Sequence, residues 1–97
     1  MSGAPAGGVT PAQQVATAVT DLDGVAELHG GVLGEVATYL PGGRVSGVRL
    51  DKSGVEVHVV LFLDDDIRAV AAEVQRVASD VVGVPATVVV EDVVARV

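Results

Sequence analysis

The stretch that decides the fold is VEVHVVLFLDDDIRAVAAEVQ, residues 55–75. Over 55–63, apolar residues occupy every second position, so one face of a strand is continuously apolar and predicts packing on a core. From Ile67 onward the apolar residues recur at intervals of three and four. This spacing predicts an amphipathic helix over about 66–81, with its apolar stripe facing the sheet. Three consecutive aspartates separate the two patterns.

We interpret the three aspartates, Asp64, Asp65 and Asp66, as structural. The start of a helix leaves four N–H groups unpaired and carries a partial positive charge. Aspartate is therefore favoured as N-cap, and further carboxylates in the first turn each add about 0.3–1 kcal/mol. The alternative is a divalent-cation site made from these oxygens. Calcium usually takes six or more oxygen ligands, and the spacing of an EF-hand loop is absent here. We therefore predict capping and no metal site.

The remaining segments complete an α+β pattern. Thr10 is predicted to cap a first helix over about 11–22, because Thr10, Pro11 and Gln13 have the order of a capping box with proline at the first turn. Strands are predicted at 25–28, 44–50 and 86–93, with a looser extended piece within 30–43 and a turn at 51–54. The order α-β-(β)-β-β-α-β predicts a mainly antiparallel sheet of three to four strands with two helices on one face.

Length and composition predict one sheet-rich domain. The chain has 97 residues, of which 24 are valine, and β-branched side chains favour strands. Residues 1–9 consist mostly of glycine, alanine, proline and serine and are predicted to be a flexible tail. The domain itself is therefore predicted over residues 10–97.

Charge and composition argue against several classes of function. The chain has no cysteine, which excludes disulfides and thiolate metal sites. Its formal net charge of −7 disfavours contact with nucleic acid or anionic lipid. No apolar run approaches the roughly 18 residues that span a bilayer, and the first residues do not resemble a secretory signal. We expect a cytoplasmic protein without direct membrane insertion, nucleic acid or cofactor.

No arrangement of side chains predicts catalysis. His29 and His58 lie on separate elements and lack the spacing of paired metal ligands. His58 is predicted to be a half-exposed residue on the outer face of its strand. That face carries Glu56, His58, Val60 and Phe62 and is a candidate protein-interaction surface, since Phe62 is one of only two aromatic residues. The alternative is that another segment of the chain covers it.

Four segments carry a resemblance to a known family: GVAELHGG (24–31), ATYLPGGRVSGVRL (37–50), GVEVHVVLFLDDDIRAVAAEVQRVASDVVG (54–83) and ATVVVEDV (86–93). In this order they resemble the alkaline-shock-protein family, small envelope stress response proteins of Gram-positive bacteria, in a short actinobacterial-like form. The resemblance implies an abundant cytoplasmic protein that is brought to the membrane by a small membrane-anchored partner. It implies no catalytic residue.

Three functional hypotheses follow. The first is a non-enzymatic scaffold or interaction module of the envelope stress response, with a protein partner and possible homo-oligomerisation. The second is a regulatory module that binds a small molecule or metal in a groove near Asp64–Asp66 and His58. The third is an enzyme whose site is built across a dimer.

Overall fold

One central strand is hydrogen-bonded along both of its sides, and the rest of the fold is arranged around it. The structure is a computed structural model that describes residues 9–96. The elements are α1 (Pro11–Thr20), β1 (Val25–Leu28), β2 (Ala37–Leu40), β3 (Gly43–Ser46), β4 (Val48–Asp51), β5 (Gly54–Phe62), α2 (Ile67–Val82) and β6 (Ala86–Val94). The predicted α+β class, with two helices and a mainly antiparallel sheet, is confirmed.

The central strand is β5. On one side, β4 pairs antiparallel with residues 54–57 and β1 with residues 59–61, so these two short strands lie end to end. His58 fills the junction: its N–H donates to the Gly47 carbonyl and its own carbonyl accepts from the His29 N–H, both at 2.9 Å. On the other side β6 runs parallel to β5. The chain returns for this parallel pairing through helix α2, as a crossover requires.

The core lies between this sheet and the two helices. Val57, Val59 and Leu61 of β5 are fully buried on the predicted inner face. They belong to one hydrophobic cluster with residues of α1, such as Val15, and residues of α2, such as Val74. Helix α2 therefore presents its apolar stripe to the sheet, as its spacing predicts.

The segment 44–50, predicted as one strand, is divided at Gly47 into β3 and β4. Gly47 has φ +86°, and a Cβ at this position would lie 2.7 Å from the Leu28 Cβ, so a larger residue would clash. Strand β3 then pairs with β2 as a separate two-stranded sheet. The Thr38 hydroxyl joins the two sheets, because it donates to the Val48 carbonyl at 2.6 Å and accepts from the Leu50 N–H at 3.2 Å.

Both helices begin with a side-chain cap. The Thr10 hydroxyl accepts from the Gln13 N–H at 3.3 Å, and the Gln13 side chain accepts from the Thr10 N–H at 2.8 Å. Helix α1 is shorter than predicted and ends at Thr20.

Of the predicted tail, residues 1–8 lie outside the described residues, and Val9 is exposed. None of the helices in residues 9–96 is both long enough and apolar enough to span a bilayer.

The position of β5 gives a test of the core. Val59→Asp should bury an unpaired carboxylate and cost several kcal/mol, comparable to the roughly 5–15 kcal/mol that hold a domain folded. Val32→Asp is the matched control, since the Val32 side chain is 87% exposed. Thermal and urea unfolding followed by circular dichroism compare the two. Equal stability of both variants would show that Val59 does not face the core.

Candidate functional site

A histidine held between two glutamates forms the most developed polar site of the structure. The His58 Nε2 lies 2.6 Å from a Glu56 carboxylate oxygen, and its Nδ1 lies 2.6 Å from a Glu91 carboxylate oxygen. His58 is only 7% exposed. The prediction of a half-exposed His58 is therefore wrong, because the two carboxylates satisfy the ring and allow its burial. We call Glu56, His58 and Glu91 the charged cluster.

A β-bulge places Glu91 in the charged cluster. The register runs from Val59 opposite Val90 to Val60 opposite Asp92, so Glu91 is an extra residue in β6. Its side chain extends over the outer face to His58, 33 residues earlier in the chain. Sequence reasoning missed this residue. A signal was present in the spacing: Val88 and Val90, which pack against the core, are two residues apart, whereas Val93, the exposed valine that pairs with Leu61, follows three residues later.

The geometry of the charged cluster favours a protonated imidazole. A neutral histidine has one N–H, so it can donate to only one of the two carboxylates, whereas the imidazolium donates to both. Burial by itself lowers the pKa of His58, but the hydrogen bonds and charges of Glu56 and Glu91 outweigh it, and the pKa is raised. Arg49 extends the chain of charges, with its guanidinium 3.3 Å from the other Glu56 oxygen.

The raised pKa of His58 predicts a dependence of stability on pH. Because the folded state binds this proton more tightly than the unfolded state, the stabilisation is fully present below the unfolded pKa of about 6.5. It is lost as pH rises through the higher folded pKa. The stability advantage of the parent over His58→Gln should therefore shrink as pH rises above about 6.5.

Urea unfolding of both proteins between pH 5.5 and 9.5 measures this advantage. His29→Gln is the matched control, since the His29 Nδ1 accepts only a local bond from the Gly31 N–H. The parent and the control should lose stability in parallel across this range. A constant difference between the parent and His58→Gln at every pH would contradict a protonated His58.

A second polar site lies at the other end of the outer face, around Arg96. Its guanidinium donates to Asp64 at 3.1 Å and to both oxygens of Asp65 at 3.0 Å, and it stacks 4.2 Å from the centre of the Phe62 ring. The bonds to Arg96 hold the pKa of Asp65 below its usual value. Phe62 is therefore half-buried beneath a cation rather than openly presented.

The three aspartates thus have two different roles. Asp66 is the N-cap of α2 and accepts from the Ala69 N–H at 3.1 Å. Asp64 and Asp65 precede the helix, and no acidic residue lies in its first turn. The prediction that Asp64 and Asp65 cap the helix is wrong, because Asp66 occupies the cap position and an arginine 32 and 31 residues later binds the other two.

This division predicts unequal effects for neighbouring aspartates. Asp66→Ala should lower the free energy of unfolding by about 1 kcal/mol, because an N–H at the start of α2 loses its acceptor. Asp64→Ala should have little effect, since Asp64 is exposed and Asp65 still binds Arg96. Parallel thermal unfolding of the two variants makes the comparison. A larger loss for Asp64→Ala would show that the arginine contact, not the cap, dominates.

The four residues of the predicted interaction surface have different accessibilities. Val60 is 3% exposed and His58 is 7% exposed, whereas Glu56 and Phe62 are half-buried. The central residues of this outer face are thus buried, which agrees with the alternative prediction that another segment of the chain covers the face. Large apolar residues are instead exposed elsewhere, among them Val32, Leu33 and Tyr39 at 71–89%.

Within residues 9–96, no group of three or more histidine, aspartate or glutamate side chains converges in the way that metal ligands do. In the charged cluster the two carboxylates bind opposite ends of one imidazole, so they point at the ring rather than at a shared centre.

Comparison with known proteins identifies no relative: no family model, no curated protein and no solved structure matches this chain.

Proposed function

We propose that this protein is a non-enzymatic interaction module, and that it binds another protein chain at the edge of β6. The observation that carries the proposal is the position of β6. It is nine residues long and, within residues 9–96, pairs with β5 alone. An unpaired strand edge is a template for the addition of a further strand.

Alternation of the backbone identifies which groups face outward. The Pro85 carbonyl accepts from the Val55 N–H and so points toward β5. Successive residues of a strand point their backbone groups to opposite sides, so those of Ala86, Val88 and Val90 point away from β5. The Gln75 side chain donates to the Ala86 carbonyl at 2.9 Å, which supports this assignment. The outward groups of Val88 and Val90 have no partner within residues 9–96.

This unpaired stretch is short, because side chains bind the backbone at both of its ends. Gln75 covers its start at Ala86, and near its end the Asp92 carboxylate accepts the Val93 N–H at 2.8 Å. We call the outward side of residues 87–91 the free edge. Natural proteins often blunt such edges with charged residues, proline or β-bulges; here Glu91 and the bulge lie at the end of the stretch, and residues 87–90 carry none of these devices. An apolar edge without these devices is suited to a partner strand.

The cellular role follows from the family resemblance. We propose a role in the envelope stress response, as a cytoplasmic scaffold that a small membrane-anchored protein brings to the membrane. The support is the pattern of segments that resembles the alkaline-shock proteins, together with the acidic charge of −7, which favours a protein partner over a direct lipid contact. The regulatory-module alternative has weaker support, since Arg96 binds Asp64 and Asp65 and the two glutamates bind His58.

A single backbone N–H tests the free edge. Val88→Pro removes the outward N–H and leaves the pairing with β5 in place, because proline is tolerated where an edge N–H faces away from the sheet. Val88→Ala is the matched control, as it shortens the same side chain but keeps the N–H. We expect Val88→Pro to lose the chains that crosslink to the parent protein, whereas Val88→Ala retains them.

The measurement is crosslinking in the native cell followed by affinity capture, with membrane and soluble fractions kept apart. Circular dichroism must first show that both variants are folded at the growth temperature. The chains that crosslink to the parent protein should be absent from the Val88→Pro sample, in whichever fraction they occur. A folded Val88→Pro that captures the same chains as the parent would show that the free edge is not the interaction surface.

A further inference from the structure

The free edge is self-complementary. We infer that a second copy of this chain adds antiparallel to β6 across a two-fold axis at Val89, which joins the two sheets edge to edge. This inference rests on the proposed function, since it identifies the chain that the free edge binds. Its basis is the match between the outward backbone groups of two copies, together with the placement of their acidic side chains.

Of the registers compared, one pairs every unpaired backbone group of Val88 and Val90. In an antiparallel pair, hydrogen bonds form between directly opposite residues that both point their N–H and C=O groups at the partner. With the axis at Val89, Val88 of each copy lies opposite Val90 of the other. The two such pairs give four hydrogen bonds and use all the unpaired groups of Val88 and Val90.

Other positions of the axis use fewer of the unpaired backbone groups of Val88 and Val90. An axis at Val88 would place Val90 opposite Ala86, whose carbonyl already accepts from Gln75. An axis at Val90 would place Val88 opposite Asp92. Beyond the bulge the alternation changes phase, because the Val94 carbonyl accepts from the Leu63 N–H and so points toward β5. The backbone groups of Asp92 therefore point inward and cannot bind the second copy.

The acidic side chains also fit this register. A chain with net charge −7 associates with itself only if like charges are kept apart. With the axis at Val89, Glu91 of each copy lies opposite Thr87 of the other, a polar neutral residue. Glu91 is moreover bound to His58, so its charge is compensated within its own copy.

The side chains continue the layers of the fold across the junction. Val88 and Val90 are half-buried at the margin of the core, on the face covered by α2. An axis perpendicular to the sheet keeps both helical layers on the same face, so the valines of the two copies extend one core. On the other face Val89 meets Val89 of the second copy directly.

A cysteine at the axis tests the arrangement, because the chain contains no cysteine of its own. Two copies of Val89 form a non-hydrogen-bonded pair, whose Cα atoms lie about 4.5 Å apart, within the roughly 4.4–6.8 Å of a disulfide. Val89→Cys should therefore form a covalent dimer under mild oxidation. Thr87→Cys is the matched control, since the two copies of residue 87 are four residues out of register, about 13 Å apart.

Non-reducing electrophoresis after equal oxidation should give about tenfold or more covalent dimer for Val89→Cys than for Thr87→Cys. Sedimentation equilibrium of the parent should show a dimer, and Val88→Pro should shift it to monomer. Equal crosslinking of the two cysteine variants would overturn the register. A parent that remains monomeric, with no Val89→Cys dimer, would overturn the second copy as partner. In that case, loss of captured chains by Val88→Pro in the cell would still support the proposed function.

Discussion

The pairing of β5 on both sides is the constraint on which the rest of the structure depends. A buried strand must satisfy every N–H and C=O, and β5 is too long for either four-residue neighbour alone. Strands β1 and β4 therefore share one side. The junction between them needs Gly47, because a Cβ at this position would clash with Leu28. The other side is left to β6, which arrives in parallel after the α2 crossover and so becomes the margin of the sheet.

The parts of the fold that could be predicted are those encoded by local periodicity. The alternation over β5 and the three-and-four spacing of α2 are strong predictors of a strand and a helix, because each element packs one face on the core for its whole length. The Thr10 cap is likewise a local pattern. The division at Gly47 could not be predicted, since it depends on the approach of β1, about twenty residues away. A continuous alternating stretch looks like one strand until its neighbours are known.

The polar sites were less predictable, because their partners are distant in sequence. His58 next to Glu56 suggests a solvated face, yet Glu91 and the sheet around it make His58 a buried residue held between two carboxylates. The aspartates give the same lesson. Identical side chains at 64, 65 and 66 differ in role because the backbone places only Asp66 at the helix start, whereas Arg96 lies beside the other two. Residue type indicates what a side chain can bind, but tertiary structure decides which partner is present.

The bulge in β6 connects the charged cluster to the free edge. Without the extra residue, the alternation that begins at Pro85 would continue unbroken, and the outward backbone groups would extend to Asp92 and Val94. The bulge reverses this phase at Glu91 and limits the free edge to a few residues. The same residue is held by His58 through its side chain. The bulge that brings Glu91 to His58 is thus also the point where the unpaired edge of β6 ends. A short, sharply bounded edge offers few registers to a partner strand, whereas a long uniform valine edge would offer many.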